Sequence, residues 1–429
     1  MNKLSLQPYK GTRDFYPRDM YIQNHIFNAM KRSCQLYGYE EYMGPMIEHL
    51  DLYLAKTGEE IINNEIYSFT DRGDRQVAIR PEMTPTVARM IAAQYQELAK
   101  PIRWYSIPNL FRYEKPQKGR LREHWQLNVD IFGVDNLFAE KEVIDVAIEI
   151  MKSLGAHKDM YKVLINNRKL IDLLFDQVLN LDQDQKHNVG KLIDKKAKIS
   201  SLAFTSGLEE NGLDSNQIDQ LLKYLESGDE SLNTLAQIND DAMDTLKLIN
   251  AVKEYTHASF EPSLMRGFDY YTGIVFEIFD MSLENNRSMF GGGRYDDLLS
   301  IFGTEKIPAF GFGMGEVTIR DFLTTHNLIP EIKSETFVMV TTFDDSLSSV
   351  SNDIANKLRQ QNINTVVGIG KLDKQLKNAN QQNIEYVLII GPDEMKREVV
   401  KVKKMFDRSE NDMKLNKFID LISKNIKLK

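Results

Sequence analysis

Phe111-Arg112-Tyr113-Glu114, a basic turn, and then Trp125-Gln126-Leu127-Asn128-Val129-Asp130 form the stretch whose reading decides the fold. On a strand, residues two apart share a face. Gln126, Asn128 and Asp130 therefore point one way, and Trp125, Leu127, Val129 and Ile131 point the other. One face is apolar, and the other carries amide and carboxylate groups. Two readings fit this alternation. It is a half-exposed antiparallel sheet with one wet face, or a polar platform that receives a small ligand. The spacing predicts a long hairpin, with arms at 102–113 and 123–132 joined by the turn 114–122, which holds Lys115, Lys118, Arg120 and Arg122.

Upstream, Ile22, Ile26, Met30 and Cys34 recur every fourth residue and predict an amphipathic helix over 18–36. Strand-like stretches at 66–70 and 76–80 flank the turn Asp71-Arg72-Gly73-Asp74. In Thr84-Pro85-Thr86, Thr84 is placed to cap a helix and Pro85 to begin it, with an end near 98. Downstream, a helix is expected over 139–154, with Val143, Val146, Ile150 and Met151 on its inner side. Residues 170–255 read as several short helices without a chemical motif, a helical insertion. Strand character returns over 263–279. After a linker at 326–335, strand and helix patterns alternate to the end, so 335–429 reads as a small α/β domain.

At roughly 100–200 residues per domain, 429 residues make two or three domains with ample core. Hydrophobic residues at 42% and charged residues at 27% are ordinary globular usage, which sets aside disordered and collagen-like classes. The net charge of −8 argues against indiscriminate nucleic-acid coating. The charge is uneven, however. Residues 335–429 carry 16 Lys and Arg against 13 Asp and Glu, so this segment tolerates a polyanion better than the rest. The single cysteine, Cys34, excludes an intramolecular disulfide framework and any Cys-based zinc cluster, and fits a reducing cytosol. No apolar run approaches the roughly 18 residues of a membrane span. The start, Met1-Asn2-Lys3-Leu4-Ser5, has no apolar core of a secretion signal, so a cytoplasmic protein without a membrane partner is expected.

Two further segments hold unusual chemistry. In Met265-Arg266-Gly267-Phe268-Asp269-Tyr270-Tyr271, an arginine and paired tyrosines sit within a strand-rich pattern. A guanidinium is rarely buried unpaired, so Arg266 is either tied to Asp269 on the surface or committed to a ligand. In Gly291-Gly292-Gly293-Arg294-Tyr295-Asp296, the glycines either let backbone approach a ligand or make a tight turn before a helix at 297–301. Gly311-Phe312-Gly313-Met314-Gly315 is a partial dinucleotide-loop match with Glu316 where a third glycine belongs, and close backbone packing accounts for it better.

Together these segments resemble the class II aminoacyl-tRNA synthetases, and within them the histidyl-tRNA synthetase family. Lys10-Gly11-Thr12-Arg13-Asp14 and the helix after it are similar to that family's N-terminal, dimer-forming region. Arg80-Pro81-Glu82-Met83-Thr84 resembles its amino-acid-binding loop, and 111–133 resembles motif 2. Arg266 to Tyr271 and Gly292 to Asp296 resemble the two signature peptides of histidine enzymes, and 311–319 occupies the place of motif 3. The match is collinear over nearly the whole chain. It implies an α+β catalytic domain at 1–325, an antiparallel sheet flanked by helices with the insertion at about 170–255, and an α/β anticodon-binding domain at 335–429.

The resemblance implies a histidine–tRNA ligase that uses ATP and Mg²⁺, acts on L-histidine and tRNA(His), and forms a homodimer. Arg266 and Arg112 are then the catalytic cations. Glu82, Met83, Thr84, Gln126, Asp130, Tyr270, Tyr271 and Tyr295 bind histidine. Arg112, Glu114, Arg120 and Arg266 bind ATP, and Gln117 and Arg122 meet the tRNA acceptor end. No protein-held metal is expected. One position departs from the pattern. Motif 3 ends in an arginine for the ATP γ-phosphate, but Thr318 stands there. Arg320, two residues on, lies about 200° away around a helix, so either the alignment shifts locally, or another cation such as Arg120 takes the γ-phosphate, or ATP is held less firmly. Two rival readings exist. One is a non-aminoacylating paralogue serving histidine biosynthesis, which would lack the C-terminal domain and the catalytic arginine. The other is a class II synthetase for a different amino acid, which the Arg266 to Tyr271 peptide disfavours.

Overall fold

The computed structural model describes residues 4–54, 65–117, 119–196, 199–265, 270–285 and 287–426. The chain divides into two compact units, Met1–Pro330 and Glu331–Lys429.

The first unit is built on a nine-stranded sheet. Its order runs Glu40–Glu41, Ile102–Ser106, Glu123–Phe132, Ala309–Gly315, Ser288–Arg294, Ile274–Asp280, Tyr161–Asn167 and Ser259–Phe260, with Asn109–Phe111 paired on one end of Glu123–Phe132. The pairings are antiparallel except at the two edges. The alternation over 125–131 has the expected result. Leu127, Val129 and Ile131 are fully buried in an apolar core with Ile26, Met30 and Cys34 of the Pro17–Leu36 helix and Val143, Ala147 and Ile150 of the Phe138–Ser153 helix. Burying one such side chain contributes roughly 1.5–3 kcal/mol. The opposite face of the same strand is left to polar groups.

Local patterns were overruled in several places. The arm expected over 102–113 is two strands, because Pro108 has no N–H for a ladder bond. The expected strand over 263–279 is Ile274–Asp280, preceded by a turn in which the Leu264 amide donates to Glu261 O. Thr84 begins its helix instead of capping it. Met83 holds the cap position, no side chain caps, and the helix ends at Gln94. Gly291, Gly292 and Gly293 lie inside a strand, and the helix expected at 297–301 is the 3₁₀ turn Leu298–Phe302.

Between Arg168 and Thr256 most of the described residues are in short helices. Asp182 with Gln185 and Asp214 with Gln217 form reciprocal caps that start two of these helices, and Val189, Phe204, Leu208 and Leu221 bury their inner faces. The second unit has a five-stranded sheet, ordered Thr365–Val367, Val338–Val340, Tyr386–Ile389, Val400–Lys404, Glu410–Met413. The first three strands are parallel, as expected for strands joined by the helices Ser348–Arg359 and Leu372–Gln381. The strand Glu410–Met413 is followed by a closing helix, Leu415–Ile426. Among the described residues no helix is long and apolar enough to cross a membrane.

Candidate active site

The polar face of Glu123–Phe132 forms the floor of a pocket. Gln126, Asn128 and Asp130 line it, with Glu82, Thr84, Arg112, Tyr270, Tyr271 and Tyr295 around them. The neighbouring strand Ala309–Gly315 adds Gly311, Phe312 and Gly313. Its glycines stand opposite Asp130 and Asn128 in the ladder. A Cβ on Gly311 would lie 2.1 Å from Asp130 Oδ1, and one on Gly313 would lie 2.3 Å from Gln126 Nε2. The glycine run is thus there to give pocket side chains room, not to bind a dinucleotide. Gly292 serves sheet packing instead, since a Cβ there would lie 1.8 Å from Gly311 O.

Asp130 is buried, and its carboxylate accepts a hydrogen bond from the Tyr295 hydroxyl. Burial pushes this carboxyl up to about 7, and the Tyr295 bond offsets part of that rise. Burial, then the Asp130 charge, holds Tyr295 well above the usual phenol range. The ring of Tyr270 packs 4.8 Å from Tyr271 and 5.8 Å from Tyr295, which makes an aromatic wall beside the carboxylate. Gln126 donates to Asn128 Oδ1 at 2.9 Å, so its carboxamide is pre-oriented.

The loop 80–84 is set by Arg80, whose buried guanidinium donates to Asn109 O at 2.9 Å and Gly44 O at 2.9 Å. That knot presents Glu82 and Thr84 to the pocket. Met83 faces the other way, into an apolar cluster with Val87, Ile91 and Tyr42, and does not line the pocket. Arg112 donates from Nε to Pro81 O at 2.9 Å, and its guanidinium lies 4.0 Å from Glu114. Arg120 lies 3.8 Å from the same carboxylate and is largely exposed, as is Gln117.

Arg122 departs from the expectation of a tRNA contact. It is only 8% exposed. Its guanidinium stacks on Tyr113 at 3.8 Å and donates to the Tyr9 hydroxyl at 2.8 Å, and its aliphatic stem lies against Gly11. These aromatic contacts enclose the charge, and Arg122 fastens the N-terminal segment to the basic turn. Arg320 donates to Asp19 O at 2.9 Å and is committed there. Arg266 lies outside the described residues. Asn128, Gly311, Phe312 and Gly313 were not singled out as site residues from the sequence, although the two-residue alternation already placed Asn128 beside Gln126 and Asp130.

An antiparallel sheet with such a pocket, a basic turn beside it and a separate α/β unit define a class II aminoacyl-tRNA synthetase. Residues 11–317 match the family model described as histidyl-tRNA synthetase, and 336–425 match that of the anticodon binding domain. The histidine–tRNA ligase of Leptospira biflexa is 46% identical over 415 residues, 95% of each chain. That of Haloarcula marismortui is 34% identical over 420 residues, 95% of this chain and 96% of the other. A solved histidyl-tRNA synthetase from Nostoc superposes with a TM-score of 0.82 at 22% identity, covering 99% of this chain and 100% of that one. The chain belongs to the histidyl-tRNA synthetase family.

Proposed function

We propose that this pocket joins L-histidine to ATP and that the chain then transfers the histidyl group to tRNA(His). The buried Asp130–Tyr295 pair, at the foot of a pocket walled by tyrosines, carries this reading. An imidazole offers an N–H that such a carboxylate accepts, and Tyr271 and Tyr270 enclose the ring. Glu82, Thr84 and Gln126 take the α-ammonium group. Met83 holds the loop from behind. A pocket built to hydrogen-bond a substrate N–H rejects analogues lacking it by about 10⁴–10⁵, because its own buried groups would be left unpaired.

The histidine carboxylate attacks the α-phosphorus. A bond forms from its oxygen to phosphorus, the bond to the bridging oxygen breaks, and pyrophosphate leaves. No protein nucleophile is needed, so the residues position the reactants and balance negative charge. Arg112 and Arg266 meet the phosphates, since forked guanidinium donors suit paired phosphate oxygens. Glu114 and Arg120 flank the nucleotide, and Gln117 faces the tRNA acceptor end. Among the described residues no group of three His, Cys, Asp or Glu side chains could cage a metal. Mg²⁺ comes with the phosphates of ATP, held mostly by substrate oxygens and water, as part of the substrate.

Residues 1–325 carry activation, with about 170–255 as their insertion, and 335–429 read the anticodon. The active form is a homodimer in the cytosol. Calorimetry tests the histidine site. L-histidine should bind the parent chain, and Asp130→Asn should weaken it at least tenfold while leaving ATP affinity unchanged. Equal histidine affinity in both would remove Asp130 from the site.

A further inference from the structure

A nucleoside triphosphate is a polyanion, and a site that takes one must meet it with fixed cations. From the pocket wall a row of charges leads outward: Arg112, Glu114 at 4.0 Å, and Arg120 at 3.8 Å from the same carboxylate. The row continues past the turn. Gly119 has φ of +76°, a conformation glycine adopts freely, and a Cβ there would lie 2.4 Å from Nη1 of Arg287. The Arg287 guanidinium therefore lies directly against the backbone of the basic turn. Its Nη2 donates to Asp321 Oδ2 at 2.6 Å, on the helix Glu316–Thr325.

Asp321 is one helical turn beyond Thr318. The Thr318 hydroxyl donates within reach of Met289 O at 2.9 Å and Gly315 O at 3.0 Å, so the first turn of this helix brings a hydroxyl, not a cation. Met289 is two residues after Arg287, on the strand Ser288–Arg294. A positive charge thus reaches this corner from the neighbouring strand, and a carboxylate of the helix holds it there. The side chains of Arg287 and Asp321 are 30% and 26% exposed, open enough to meet an anion. Five N–H donors in a fork let one guanidinium hold Asp321 and a phosphate together.

We infer that Arg287 binds the terminal phosphates of the nucleotide, clamped by Asp321 beneath the basic turn, and supplies the charge that Thr318 does not. The inference rests on the reading of the pocket as an ATP site. Calorimetry of ATP and AMP, without histidine, on the parent chain, Arg287→Ala and Arg287→Gln tests it, with melting temperatures checking the fold. ATP affinity should fall about 10- to 100-fold in both variants, and AMP affinity should stay within about twofold, because AMP lacks the phosphates concerned. Equal losses for ATP and AMP, or none, overturn the role of Arg287. A parent chain that binds ATP with this selectivity, yet shows no histidine-dependent activation, leaves Arg287 standing and rejects the histidine reading. A parent chain that binds neither nucleotide overturns both.

Discussion

The sheet of the second unit and the sheet under the pocket bury polar side chains in opposite ways. In the second unit these groups are closed on one another. Ser351 donates to Thr341 O at 2.8 Å, and the Thr341 hydroxyl accepts from the Ile390 amide at 3.1 Å. The Gln375 carboxamide accepts from the Thr342 amide at 3.0 Å and donates to Thr342 O at 2.7 Å. Such groups are staples. Around the pocket, Asp130 pairs with a tyrosine hydroxyl instead of a cation, and the buried Tyr42 hydroxyl lies beside Ser106 and within reach of the Asp130 charge. A buried carboxyl without a cation beside it is expensive to keep unless a ligand completes its hydrogen bonding. The contrast separates polar residues that hold a fold from those held ready for a substrate.

Four experiments break or sharpen this contrast. The largest effect belongs to Arg266→Ala, which should lower the rate of adenylate formation roughly 10²–10³-fold with the fold intact, as when one preorganised charge contact is lost. Single-turnover kinetics would measure it, and near-normal turnover would show that another arginine carries the charge. Removing 335–429 should reduce tRNA charging by about 10²-fold while adenylate formation changes little. Parallel losses in the two assays would mean the second unit also serves the pocket. Gly313→Ala comes next. The Gln126 carboxamide 2.3 Å away is the end of a flexible side chain and can yield, so the protein folds but its KM for histidine rises about tenfold. An unchanged KM would show that Gln126 does not hold the amino acid.

The smallest effect is on stability. The Asp130 carboxyl titrates near 7 when folded and at about 4 when unfolded. Between these values the folded chain holds a proton that the unfolded chain has released, so stability falls as pH rises through this window. Asp130→Asn removes that slope. Its Tm should exceed the parent's by a few degrees at pH 8, and the gap should close near pH 4. A gap independent of pH would place the carboxyl in water.

Much of this was legible in the sequence because the decisive signals are local. The alternation over 125–131 gave both the apolar core face and the pocket floor. The regular strand and helix spacing after 335 gave the second unit. What was not legible depends on contacts between distant parts of the chain. Arg122 looks like a free charge in a basic turn, but Tyr9, from the other end of the unit's sequence, takes its guanidinium. Gly291 to Gly293 read locally as a ligand approach or a turn, whereas strand Ala309–Gly315, approaching closely, makes them strand residues. Thr84 has the side chain of a cap, yet packing of Met83 into the apolar cluster sets where the helix begins. The clamp of Arg287 by Asp321 joins the residue before a strand to a helix 34 positions on and has no sequence pattern.

The central claim is that a carboxylate and tyrosines buried beneath this sheet select an imidazole for activation. Pyrophosphate–ATP exchange measured with each of the twenty amino acids tests it most directly. The account predicts exchange with histidine alone. Exchange driven by any other amino acid, or none from correctly folded protein, would contradict it.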